Sequence, residues 1–248
     1  MQKIKKFIKD ELSGWKAWEV IWLGVALISI TVLGLIGHDT AMGIVSSTTG
    51  MAYSVVSGKG KLSAYFFGLI NAVLYAIIAY QAAYYAETAL NIYYVPMLIV
   101  GFFTWAKNMN GTTKEVNKRR MTWRTRTVTA AVIAAGTVVC GFVLRAVGDA
   151  MPFVDAFTTV ASIVTMVVSV RMFVEQWWLW LIIDAVTVYL WVVAFLGGND
   201  SVATLVMWAL YIVNAIVMLV KWEREIRANE KGLCRNEQLS QIDGATKS

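Results

Sequence analysis

The 248-residue chain has one histidine (His38), two cysteines (Cys140 and Cys234), two prolines and only 15% charged residues. A single histidine removes most histidine-based metal and triad chemistry, and two cysteines make neither a disulfide framework nor a zinc cluster. A soluble domain averages about 25% charged residues, so the deficit argues against one. With 58% hydrophobic residues, disorder is excluded as well. No H-E-x-x-H or G-x-S-x-G is present, and no paired carboxylates fall within the apolar runs. Ser57-Gly58-Lys59-Gly60-Lys61 lacks the glycine spacing of a nucleotide-binding loop, and the S-x-x-K spacing of Ser13 to Lys16 stands alone. No catalytic residue, metal ligand or cofactor is expected, and the chain does not read as an enzyme.

What is present is long apolar sequence. Runs of about 18 residues can each span a bilayer as a helix. Eight occur, roughly Trp18 to Ile36, Ala41 to Val56, Leu62 to Tyr80, Ala89 to Ala106, Thr127 to Val147, Phe153 to Val170, Trp177 to Leu196 and Val202 to Val220. They are continuously apolar rather than alternating, which favours helices over a barrel. The basic residues set the orientation. With eight spans, every Lys and Arg except Arg145 falls on one side, the side of both termini. Basic loops stay cytoplasmic, so both ends are expected inside a bacterial inner membrane. The net charge of +6 then reflects proximity to anionic lipid and calls for no nucleic acid. Ile4, Phe7, Ile8 and Leu12 recur at helical spacing among lysines, which predicts an amphipathic helix on the cytoplasmic surface.

The chain also shows a faint internal repeat. An offset of about 113 places Leu69 to Val73 on Ile182 to Val186, and Leu98 to Gly101 on Tyr211 to Asn214. The expected architecture is all-α and polytopic: eight transmembrane helices ordered one, three, one, three. Two parallel three-helix repeats are joined by a linker helix. The expected segments are a surface helix over 1–16, an extra first span over 17–40 and a first repeat over 41–106. A loop with the linker helix follows over 107–152, then a second repeat over 153–222 and a cytoplasmic tail over 223–248.

An ionisable group inside a span is costly and marks a site by default. Glu19, Glu87, Asp149, Asp155, Glu175 and Glu223 avoid that cost at span ends, Asp155 as a helix cap. Asp184 does not; it lies about two turns into the seventh span with no basic residue at comparable depth. Trp177, Trp180 and Asp184 share a helical face, which suits a planar cation that stacks on indole and is neutralised by the acid. The alternatives are a neutral, hydrogen-bonded acid and an interfacial aromatic belt. Asn71, the repeat mate of Asp184, joins the candidate substrate-binding set. So do Asn91 and Tyr94 at i, i+3, Tyr211 and Asn214 at the same spacing, and Gln176 just before the seventh span. Each polar residue could instead join helices by hydrogen bonds.

Leu90 to Tyr94 followed by Gly101 to Trp105, and Glu175 to Trp180 leading into Asp184, resemble the PnuC family of vitamin B3 transporters. Trp177 and Trp180 stand at its W-x-x-W motif, and Tyr211 with Asn214 at a similar polar position; the resemblance runs from Thr48 to Glu223. It implies facilitated diffusion of nicotinamide riboside across the inner membrane without ATP, with a cytoplasmic kinase retaining the product. It also implies a SWEET-like architecture, for which a homotrimer is the expected assembly. The first span departs from the family's basic plan. Carriers of another planar cationic vitamin, such as thiamine, and a proton-coupled carrier stay open as alternatives.

Overall fold

The computed structural model describes residues 2–82, 84–196 and 202–245. Among these, the chain forms nine helices: α1 (Gln2–Leu12), α2 (Ala17–Ile36), α3 (Ala41–Lys59), α4 (Ala64–Gln81), α5 (Tyr85–Lys107), α6 (Trp123–Ala146), α7 (Pro152–Val170), α8 (Glu175–Leu196) and α9 (Val202–Ala245). The chain is an all-helical membrane protein, and α2, α4, α5, α6 and α7 are each long and apolar enough to cross a bilayer by themselves. α3 is more polar; its hydroxyls at Ser47 and Thr49 turn back onto carbonyls of their own helix, as expected where no water is at hand.

Local chemistry fixes most boundaries. Thr40 caps α3 by accepting from Gly43 N–H at 3.1 Å, and Thr122 caps α6 by accepting from Thr125 N–H. Gly60, at φ 84°, closes α3 in the left-handed conformation. Pro152 opens α7, where its missing N–H costs nothing. Asp155, expected to cap that helix, does not: the cap residue is Met151, without a side-chain bond, and Asp155 lies inside the first turn. Asp149 takes the nearby donor instead, accepting from Met151 N–H at 2.8 Å. α9 continues far past the expected membrane boundary, through Glu223–Arg227 and Lys221–Glu225 pairs spaced i, i+4.

The helices pack as two runs of neighbours, α3–α4–α5 and α7–α8–α9, with α6 lying against α7. α5 meets α7 and α3 meets α9 across the middle, and α2 packs along the α3–α9 seam. One core cluster, built on Met51, Val55, Ala72, Leu98, Met166, Met218 and Trp222, unites these helices except α6, which joins through a second cluster of Ile133, Ala161 and Ile183.

The end of the bundle that carries most of the lysines, here the basic end, is tightly tied. Glu19 of α2 is only 1% exposed, not at a wet helix end as expected, because Lys59 and Lys221 hold it at 2.7 and 2.8 Å. Lys59 also reaches Glu115 at 2.8 Å, Glu115 reaches Lys118 at 2.8 Å, and Lys118 reaches Glu225. The α5–α6 loop is pinned beside them by Arg119 N–H to Met172 carbonyl and Val174 N–H to Arg119 carbonyl, both 2.9 Å. Glu175 accepts from Met121 N–H at 3.1 Å and from the Arg126 guanidinium at 2.6 Å.

Candidate functional site

Two polar side chains of the bundle interior converge on Gly50 of α3. Asn71 of α4 donates to the Ser46 carbonyl at 2.8 Å and to its hydroxyl at 3.2 Å. A Cβ on Gly50 would stand 2.9 Å from both Asn71 Nδ2 and Tyr211 Oη. Only glycine there lets an amide from α4 and a phenol from α9 close over the α3 backbone. Asp184 of α8 and Tyr75 of α4 lie within electrostatic reach of Tyr211. Asp184 is 6% exposed and accepts no hydrogen bond from the described residues. No Lys or Arg stands in the middle of any span, so the acid also has no cation at its own depth.

Aromatic side chains extend this layer. Tyr53, Tyr94, Trp180 and Tyr211 pack, partly buried, against the core of Met51, Val55, Ala72 and Met166. Tyr94 meets the Ser162 hydroxyl of α7. Its neighbour Tyr93 donates to the Ile163 carbonyl at 3.2 Å. Tyr53 Oη lies 4.0 Å from Met166 Sδ. The bundle interior thus carries indole and phenol faces, an acid and an amide. Such a set can stack a flat ring, oppose positive charge and hydrogen-bond hydroxyl or amide groups. Among the described residues, no group of three or more His, Cys, Asp or Glu could hold a metal ion.

The other sequence-derived candidates fall elsewhere. Trp177 is 3% exposed and stacks edge-on against Trp222, with centroids 5.8 Å apart. Trp222 tilts onto Trp105 at 6.3 Å, donates to the Gly58 carbonyl at 2.7 Å, and leaves Trp105 to donate to the Ser169 carbonyl at 3.1 Å. These three indoles plug the bundle just inside the basic end, and Gln176, 1% exposed, is buried beside Trp177 in sequence. Asn214 is fully buried as an inter-helix joint: it accepts from Trp22 Nε1 at 3.0 Å and donates to Ser54 Oγ at 2.7 Å. Asn91 donates to the Glu87 carbonyl of its own helix at 2.9 Å. Trp178, off the shared face, is 53% exposed.

Comparisons with known proteins show the family and the fold. A family model described as "Nicotinamide mononucleotide transporter" matches residues 40–224. The chain belongs to the PnuC family. It is 34% identical to the nicotinamide riboside transporter PnuC of Neisseria mucosa, over 88% of this chain and 86% of that protein. It is 27% identical to the nicotinamide riboside transporter PnuC of Haemophilus influenzae, over 89% and 96% of the two chains. A crystal structure of the vitamin B3 transporter PnuC superposes with a TM-score of 0.78 at 34% identity, covering 90% of this chain and 98% of that one. PnuC proteins are membrane transporters, not enzymes.

The candidate region also contains residues that the sequence did not single out as site residues: Ser46, Gly50, Tyr53, Tyr75 and Ser162. One signal for Tyr53 was available. It stands 113 residues before Met166, the residue it meets, and 113 is the repeat offset. Gly50 carried no such signal, because its role is to have no side chain where two distant helices converge.

Proposed function

We propose that this PnuC-family chain carries nicotinamide riboside across the bacterial inner membrane by facilitated diffusion, with both termini cytoplasmic. Two like-oriented three-helix units, α3–α5 and α7–α9, rock about a site between them and expose it to one side at a time. α6 links the units and α2 stands outside them. The neighbour relations of the helices and the meeting of Tyr53 with Met166 support a two-fold relation, since residues near such an axis touch their own repeat mates. The basic end takes the cytoplasmic side by its excess of Lys and Arg.

One observation carries the substrate assignment: Asp184, only 6% exposed, has no basic residue near its depth. Nicotinamide riboside is a planar pyridinium cation on a ribose. Asp184 neutralises the ring charge, Trp180 stacks on it, and Asn71, Tyr94 and Tyr211 hydrogen-bond the amide and hydroxyls. A mononucleotide would add a phosphate, for which this region offers no Lys or Arg, so the riboside fits better. Trp177, Gln176, Trp105 and Trp222 form the inner gate, and Asn91 and Asn214 hold the helices that frame the site.

The test is counterflow of labelled nicotinamide riboside in proteoliposomes without ATP, with thiamine as the competing planar cation. Saturable exchange is expected. Trp180→Ala and Asp184→Asn should each weaken binding by about tenfold, which is about 1.4 kcal/mol. Wild-type affinity in both variants would remove the site, and exchange that prefers thiamine would reassign the substrate. The unpaired acid also favours a second reading, proton coupling through Asp184. Uptake abolished by an uncoupler would establish it.

A further inference from the structure

α1 has two unlike faces. One is seated on the protein: Phe7 meets the Phe66 ring edge-on at 6.3 Å, and Glu11 accepts from Ser63 N–H at 2.9 Å. The Asp10 carbonyl accepts from Lys61 at 2.8 Å, and just beyond the helix the Gly14 carbonyl accepts from Lys59 at 2.6 Å. The helix is therefore fixed to the α3–α4 turn and cannot roll. Its other face presents Ile4, Ile8 and Leu12, 65%, 51% and 73% exposed, with Lys5 and Lys9 alongside. Isoleucines and a leucine every fourth residue form one stripe, and no described residue covers it.

The surroundings show what does. From Phe7 the edge-on rings continue through Phe66 and Phe102 to Phe103. Phe66 and Phe103 are 51% and 59% exposed on membrane-crossing helices, so this ridge faces lipid. The stripe on α1 lies where that ridge reaches the basic end, at headgroup depth. Apolar side chains flanked by lysines complement an anionic leaflet by both area and charge.

We propose that the exposed face of α1 is a docking surface for anionic phospholipid, which clamps the α3–α4 turn to the membrane surface. The clamp acts on Lys59 and Lys61, and so on the ion pairs that close the basic end. It does not depend on which substrate is carried.

The test is hydrogen exchange of the full-length protein, at one copy per nanodisc, in phosphatidylcholine alone and with added phosphatidylglycerol. Amides of residues 2–12 and 59–66 are expected to exchange more slowly in the anionic discs. Lys5→Gln with Lys9→Gln should lose that lipid dependence by about fivefold per lysine. Ile4→Glu with Ile8→Glu should lose protection over residues 2–12 in both lipids. Unchanged exchange in α6, which does not touch α1, reports an intact fold. Equal exchange in neutral discs, anionic discs and detergent overturns the proposal. So does protection that follows the number of protein copies per disc, which would assign the face to a second chain.

Discussion

The basic end and the middle of the bundle treat buried charge in opposite ways. At the basic end, Glu19, Lys59, Glu115, Lys118 and Lys221 are all partnered within one connected network. In the middle, Asp184 lies almost as deep without a cation or a hydrogen-bond donor among the described residues. Burying a charge is tolerable only when something replaces its water. The network has replaced it with protein, and so reads as a closure. The mid-bundle acid has no such replacement among the described residues.

The comparison breaks most visibly at Glu19. Glu19→Leu strands Lys59 and Lys221, and the thermal midpoint of the detergent-purified protein should fall by the equivalent of about 3 kcal/mol. An unchanged midpoint would mean that the network does not hold the basic end shut. Gly50→Ala comes next: its methyl would press on Asn71 and Tyr211. An overpacking cost of about 1–3 kcal/mol is expected, together with weaker substrate binding. Binding retained at wild-type strength would place the site away from Gly50.

Asp184→Asn sharpens the contrast, because it should lower substrate affinity while leaving the thermal midpoint equal or higher. A neutral amide removes a desolvated charge that no group among the described residues compensates. A fall in stability like that of Glu19→Leu would make Asp184 structural. The smallest effect is in pH. Burial pushes the Glu115 carboxyl up, but Lys118 and Lys59 outweigh it and hold it below its ordinary 4.5. A lowered folded-state value means that the stabilisation is fully present above about 4.5 and disappears as pH falls through the lower folded value. Melting curves from pH 7 to pH 3 should show that loss, and Glu115→Gln should flatten it.

Much of the candidate site was legible because its signal is chemical. An aspartate deep in an apolar run is costly wherever it packs, so Asp184 was conspicuous in one dimension. Trp180 was reachable from its spacing. Trp177 shares the spacing but ends in a plug, since Trp222 and Trp105 arrive there from helices that are remote in sequence. Asn214 looked like a site residue by its repeat position, yet Trp22 and Ser54 occupy its hydrogen bonds. The first span, which the repeat plan left without a role, supplies Glu19 and Trp22 to the α3–α9 seam.

The sequence by itself determined the helices, their membrane setting and the side on which basic residues accumulate, because transfer free energy and charge act residue by residue. Only the tertiary structure decided which buried polar groups are spent on one another and which have no partner among the described residues. That choice rests on pairings such as Lys59 with Glu19 and Asn71 with Ser46. Such contacts need the geometry of the packed helices to bring their partners within bonding distance.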